Sequence, residues 1–127
     1  MPFAKLTIIP APSAERAETL ALELTELIVR DLGKKRELTS VLIDTPGEAG
    51  WMIGQSVRRV AAHLDVSITA GTNSIEEKRT FLASAMALLR SEAPDLHQAT
   101  YIVLSELPSE NWGFDGRSQM DRAINPG

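Results

Sequence analysis

Position 2 is a proline, and it opens the strand-like run Phe3-Ala4-Lys5-Leu6-Thr7-Ile8-Ile9. Removal of the initiator Met1, which is usual before a small second residue, gives Pro2 a free secondary amine. No other residue supplies a protein with that group, and it can act as base, acid or nucleophile. A second reading stands beside this one, because the first residue of a strand is a place where proline fits without costing a ladder N–H. A retained Met1 turns the Pro2 nitrogen into an amide with no basicity. Other chemistries have less to work with. The chain has no cysteine, so disulfides and thiolate chemistry are excluded. His63 and His97 stand far apart with no ligand-spaced partner, so no metal site is expected, and no cofactor either.

The amine needs a scaffold, and the composition bounds it. The chain's 127 residues fit one domain with a real core. A hydrophobic share of 43% with 24% charge is that of a globular protein, and 5% aromatics leave the core to Leu, Ile, Val and Ala. A net charge of −4 argues against a nucleic-acid surface, which needs a concentrated basic face. Lys34-Lys35-Arg36 and Arg58-Arg59 read as solvated helix ends, where cations complement the macrodipole. There is no signal-peptide pattern and no apolar run of the ~18 residues that would span a membrane. A cytoplasmic protein without a membrane partner is expected.

The elements follow from periodicity and caps. Leu6 and Ile8 lie opposite Lys5 and Thr7 on the first strand. A helix is predicted over about 14–32, with Ser13 as N-cap, Gly33 just past its end, and Leu20, Leu24, Leu27 and Ile28 as its buried stripe. A second strand covers Thr39–Ile43, and a loop with Pro46, Gly47 and Gly50 leads to Trp51. Val66–Thr69 reads as a third strand. Ser74 and Glu77 form a capping box for a second long helix, whose apolar face is Phe81, Leu82, Ala85, Leu88 and Leu89. Thr100–Leu104 is the last long strand and leads to Trp112. Ser56–Asp65 is expected to connect the halves as a short helix with Val57, Val60 and Ala61 inward.

The halves repeat. Thr19, Leu27, Thr39 and Trp51 return 61 positions later as Thr80, Leu88, Thr100 and Trp112. That period is too long for a solenoid unit and points to two fused βαβ units, about 2–64 and 65–122, in a single domain spanning 1–127. The expected fold is an α/β (α+β) two-layer arrangement, with four strands in one sheet and two long helices on one face. The other sheet face then carries Leu42, Tyr101 and Val103, too apolar to be left in water. Self-association over that face is expected.

Pro2 at the head of the first strand, the doubled unit, and the segment Glu110-Asn111-Trp112-Gly113-Phe114-Asp115-Gly116-Arg117 together resemble the tautomerase superfamily, the 4-oxalocrotonate tautomerase-like proteins. Pro46-Gly47-Glu48 and the Trp112–Arg117 stretch are also similar to the malonate semialdehyde decarboxylase branch. The resemblance covers nearly the whole chain. It implies a tautomerase fold in which chains of this length form trimers. It also implies an isomerase that moves a proton on a small enol or keto acid, with Pro2 as general base and acid. Decarboxylation or water addition on the same scaffold is the alternative activity, and an inactive trimer that kept only the fold is a third reading.

The resemblance also marks departures. The arginines that hold a dicarboxylate in the family fall here on Pro12 and Leu42, and in the second unit on Thr72 and on Tyr101 or Val103. The decarboxylase arginines fall on Gly71 and Asn73, and that branch's acid falls near Arg36 or Glu37. Arg117 is the remaining arginine for a substrate carboxylate, and a salt bridge with Asp115 or Asp121 is its competing role. Trp112 and Phe114 are the expected walls of the site; for Trp112 a core or interface role gives the same sequence. Trp51 reads as an interface residue. Tyr101 is either a donor to a substrate oxygen or a packing residue, and Asp44 and Glu106 stand at strand ends where a carboxylate can activate water.

Overall fold

The computed structural model describes residues 1–126, and the chain folds as one sheet beneath two long helices. Strand β1 (Phe3–Ile9) leads to helix α1 (Ala14–Leu32), β2 (Ser40–Asp44) and a short hairpin of β3 (Met52–Ile53) and β4 (Ser56–Val57). The second unit runs through β5 (Ala61–Thr69), α2 (Ile75–Glu92), β6 (Ile102–Leu107), a hairpin of β7 (Gly113–Phe114) and β8 (Arg117–Ser118), and α3 (Gln119–Ile124). The sheet order is β2-β1-β5-β6. Within each unit the strands are parallel, and β1 and β5 join the units antiparallel.

The helices form where local chemistry directs them. The Ser13 hydroxyl accepts from the Arg16 N–H at 3.1 Å, and Gly33, at φ 67°, closes α1 with its N–H on the Val29 carbonyl. Leu20, Leu24, Ile28 and Leu32 are buried, one per turn. The expected capping box is present at α2, where Ser74 and Glu77 satisfy each other's backbone N–H groups. Phe81, Ala85 and Leu89 are buried, whereas Leu82 turns out to be exposed, one position off the stripe. These side chains meet Ala4, Leu6, Ile8, Ala62, Leu64, Val66 and Ile68 from the central strands. Each large aliphatic group so buried contributes about 1.5–3 kcal/mol. No helix is long and apolar enough to cross a membrane among the described residues.

One expected element is corrected. Ser56–Asp65 contains no helix. Its start forms β4, and its end opens β5 at Ala61, five residues before the predicted strand and ahead of residue 65, where the second unit was placed. Ala62, Leu64, Val66 and Ile68 alternate with His63, Asp65, Ser67 and Thr69, and this two-residue period, with ladder bonds on both sides, overrides helical spacing. Val57 is exposed rather than inward.

The repeat is visible atom by atom. The two hairpins lie 61 positions apart, and both the Arg58 N–H to Trp51 carbonyl bond and the Gln119 N–H to Trp112 carbonyl bond measure 2.9 Å. Positive φ falls at Gly54 and Gln55 in one turn and at Asp115 and Gly116 in the other. The first strands are offset by 60, since Ala4 beside Val41 corresponds to Leu64 beside Ile102. The extra residue of the second unit therefore lies between β5 and Ser74. Pro2 corresponds to Ala62, an internal residue of β5.

The far sheet face is open. Phe3, Leu42, Tyr101 and Val103 are exposed there, around a polar centre in which Lys5 faces Asp44 at 3.8 Å and Ser105 donates to Asp65 at 3.0 Å.

Candidate active site

Pro2 sits at the head of an inner strand with its side chain fully buried. Its carbonyl accepts from the Ser40 N–H at 3.2 Å, which ties it to the start of β2. Phe3 pairs with Ser67, so one further step along the antiparallel ladder places Pro2 beside Ile68 and Met1 beside Thr69. Ile68 pairs in turn with Glu106 on β6.

A chain of hydrogen bonds surrounds this strand end. The Trp112 indole N–H donates to the Thr69 hydroxyl at 3.2 Å. The Thr72 hydroxyl donates to the Thr69 carbonyl at 2.6 Å and accepts from the Lys34 ammonium at 2.8 Å. The Asn73 amide donates to the Leu32 carbonyl at 2.9 Å, docking the 70–73 loop onto the end of α1. Across the site Lys78 and Glu106 form an ion pair at 2.8 Å.

Charge and burial act together on the terminal amine. The amino group of Met1, one residue before Pro2, is held below the usual range of an α-amine by burial first and then by the charges of Lys34 and Lys35. Lys34 is itself lowered by burial, with Glu77 and Glu106 opposing that fall. Glu106 is lowered by its bond to Lys78. A base is most effective when its pKa is brought toward the working pH, and burial beside cations does this to an amine.

Of the residues singled out in the sequence, Trp112 reaches the strand end beside Pro2, through its bond to the Thr69 hydroxyl. The structure does not bring the others there. Arg117 donates to the carbonyls of Asp121 and Asn125 at 3.4 and 2.6 Å, at the carboxyl end of α3. Phe114 lies beneath the Arg122 guanidinium, 3.7 Å from ring centre, and its carbonyl accepts from that group. Tyr101 lies next to His63, at the opposite end of the sheet from Pro2. Five steps along β5 separate them, or about 17 Å. There Tyr101 borders a hollow of ≈ 340 Å³ with Trp51, Met52 and Ala62, the counterpart of the Pro2 end in the other unit.

Lys34 is the residue the sequence reading missed. Lys34 and Lys35 do follow the end of α1, as expected, but Lys34 is half-buried and bonded to Thr72 rather than solvated. The two strands of a βαβ unit are parallel, so the segment after α1 must return to the end of β1 where Pro2 stands. The topology carried that signal even though the local charge pattern did not.

No family model matches the chain, and no curated protein matches its sequence. Solved structures do match its fold. Pt0534 inactivated by 2-oxo-3-pentynoate is similar with a TM-score of 0.85 over 97% of this chain and 98% of that one, at 14% identity. A wild-type fused 4-OT symmetric trimer matches with 0.80 over 93% and 96%, at 19% identity. A macrophage migration inhibitory factor-like protein from Entamoeba histolytica matches with 0.77 over 92% and 97%, at 20% identity. The fold is thus that of the 4-OT-like and macrophage migration inhibitory factor-like proteins.

Proposed function

We propose that this chain, carrying the fold of the fused 4-OT proteins, is a tautomerase-like isomerase that moves a proton on a small enol or keto acid. The observation that carries this reading is the buried Pro2 at a chain start where burial, Lys34 and Lys35 lower the amine of the preceding Met1, surroundings that the Pro2 amine inherits once Met1 is removed. With Met1 removed, the Pro2 nitrogen is the general base that takes the proton and the acid that returns it. The Lys34 ammonium, in place of the expected arginines, binds the carboxylate and the developing enolate oxygen. The Trp112 indole forms one wall.

Tyr101 enters only through assembly. It stands too far from its own Pro2, and it is exposed on the face left open by the helices. Proteins of this fold include symmetric and asymmetric fused 4-OT trimers. A homotrimer of this chain buries Leu42, Tyr101 and Val103 and lets one subunit's Tyr101 approach another's Pro2. Arg117 and Phe114 support the site indirectly by holding the hairpin that carries Trp112 against α3. Isomerisation is favoured over hydration or decarboxylation because the candidate water-activating carboxylates are already engaged, Asp44 with Lys5 and Glu106 with Lys78.

The test is Pro2→Ala, on protein shown by intact mass to lack Met1, with phenylenolpyruvate and 2-hydroxymuconate as substrates. Turnover by the processed wild type, lost in the variant, supports the reading. Equal turnover in both removes the proline from the mechanism.

A further inference from the structure

The hydrogen bonds that hold Lys34 belong to one end of the molecule only. Lys34 lies just past α1, and its ammonium donates to the Thr72 hydroxyl at 2.8 Å. That hydroxyl has one proton of its own to give. Two oxygens lie in reach, the Thr69 carbonyl at 2.6 Å and the Asn73 amide oxygen at 3.4 Å, and the shorter bond takes it. The lone pairs of the Thr72 oxygen are then turned to Lys34. Thr69 receives the Trp112 indole N–H at 3.2 Å, so Lys34, Thr72, Thr69 and Trp112 form one line across the strand end beside Pro2.

The fold does not need this line. The repeat puts Ile9 in the place of Thr69, Asp95 in that of Lys34, and Ala11 or Pro12 in that of Thr72. Ile9, Ala11 and Pro12 carry no hydroxyl and Asp95 is an anion, yet strand, cap, helix and hairpin all form in that unit. The loop that bears Thr72 is also the longer by one residue, 70–73 against 10–12.

We propose that Thr72 is a positioning residue for substrate binding: its hydroxyl seats the Lys34 ammonium at the Pro2 end of the sheet and leaves the other N–H donors of that ammonium to a substrate carboxylate. This rests on the reading of Lys34 as the group that binds the carboxylate. A lysine head on its four-carbon stem has many rotamers, and fixing one of them before the ligand arrives removes part of the ordering cost of binding. Thr72 is exposed, so valine there keeps the shape, leaves the core untouched and removes both the acceptor for Lys34 and the donor to Thr69. Serine retains both.

The test is a double-mutant cycle on Thr72→Val and Lys34→Met, with Thr72→Ser beside it, each with Met1 loss confirmed by mass. Binding of phenylpyruvate, the keto form of phenylenolpyruvate, is measured by titration calorimetry. T72V is expected to weaken binding roughly three- to tenfold, as befits one lost hydrogen bond to a charged group, and T72S to stay near the wild type. In the K34M background T72V should add nothing further. Unchanged binding in T72V, an equal loss in T72S, or the same loss with and without Lys34 overturns the proposal; the last result would confine Thr72 to its own loop. K34M that binds like the wild type overturns it together with the carboxylate role of Lys34. Binding needs no turnover, so an idle Pro2 shows in the kcat of P2A and leaves the cycle readable.

Discussion

The indole N–H of Trp112 donates to the Thr69 hydroxyl at 3.2 Å, and this one bond fastens the carboxyl-terminal hairpin to the strand end beside Pro2. Thr69 also accepts from Thr72 through its carbonyl, so the Trp112 hairpin and the loop that holds Lys34 share an anchor.

Trp112→Phe keeps the aromatic surface and removes the donor. The Thr69 hydroxyl loses a partner, and stability should fall by about 1 kcal/mol, the usual net worth of such a bond. Urea unfolding measures this. If the hairpin is the wall of the site, KM rises in the same variant, and an unchanged KM would separate Trp112 from substrate.

Lys34→Met removes a cation that lowers the Met1 amine, and on loss of Met1 the same charge is expected to act on the Pro2 amine. The sign follows directly: with that charge gone the protonated amine is less disfavoured, so its titration and the acidic limb of kcat/KM move to higher pH. Stability responds too. A group whose folded pKa is depressed binds fewer protons in the folded chain, so the wild type loses stability as pH falls through the amine's titration range, and K34M loses less. KM for a carboxylate substrate should rise about tenfold, since a hydrogen bond to a charged group is lost. Lys34→Arg retains the charge and should recover part of the binding.

What the sequence made legible was local. Ser13, Gly33, Ser74 and Glu77 are caps whose chemistry acts within four residues, and they marked the helix ends. The recurrence of Trp51 as Trp112 announced two hairpins. What stayed hidden depended on distant partners. Lys34 gains its meaning from Thr72 and from the amine, which the return of a parallel strand brings together. Arg117 was read as a substrate arginine or a salt-bridge partner of Asp115 or Asp121, because α3 was not foreseen, and it is backbone carbonyls at the end of α3 that engage it. The start of β5 was read as helix because its polar alternation is set by burial between two neighbours, a condition known only once the sheet order is known.

Gly113 is held by close approach. A Cβ there would fall 1.8 Å from the Arg117 carbonyl oxygen across the hairpin. Gly113→Ala must therefore open β7 from β8 and loosen Trp112, while Gly47→Ala, which meets nothing within 4 Å, should be neutral. Tryptophan fluorescence and thermal unfolding distinguish them: a red-shifted emission and lowered Tm are expected for G113A alone.

The reagent in one structural counterpart offers a direct probe of the amine. Pt0534 is inactivated by 2-oxo-3-pentynoate, an alkynyl ketone that an unprotonated amine can attack. In this chain the depressed amine should add to the alkyne carbon, the proton passing to the resulting carbanion, to leave one covalent adduct on the Pro2 peptide. Intact mass and peptide mapping read it. The reaction should slow as pH is lowered, and in protein that retains Met1 no adduct should map to the Pro2 nitrogen, which is then an amide.

The open sheet face carries the last prediction. Leu42 is 47% exposed and pairs across the ladder with Lys5, whose ion pair with Asp44 lies on the same surface. An apolar residue beside an ion pair is tolerable in water but gains most when a second chain covers both. Leu42→Lys places a second cation next to Lys5 and leaves the helix-facing core untouched. The wild type is expected to elute with the mass of three chains in light-scattering chromatography, and L42K with the mass of one, still folded by circular dichroism. If Tyr101 is supplied between subunits, the monomer loses turnover along with assembly. A monomeric wild type would place Tyr101 out of reach of any Pro2, because about 17 Å of sheet lies between them within one chain.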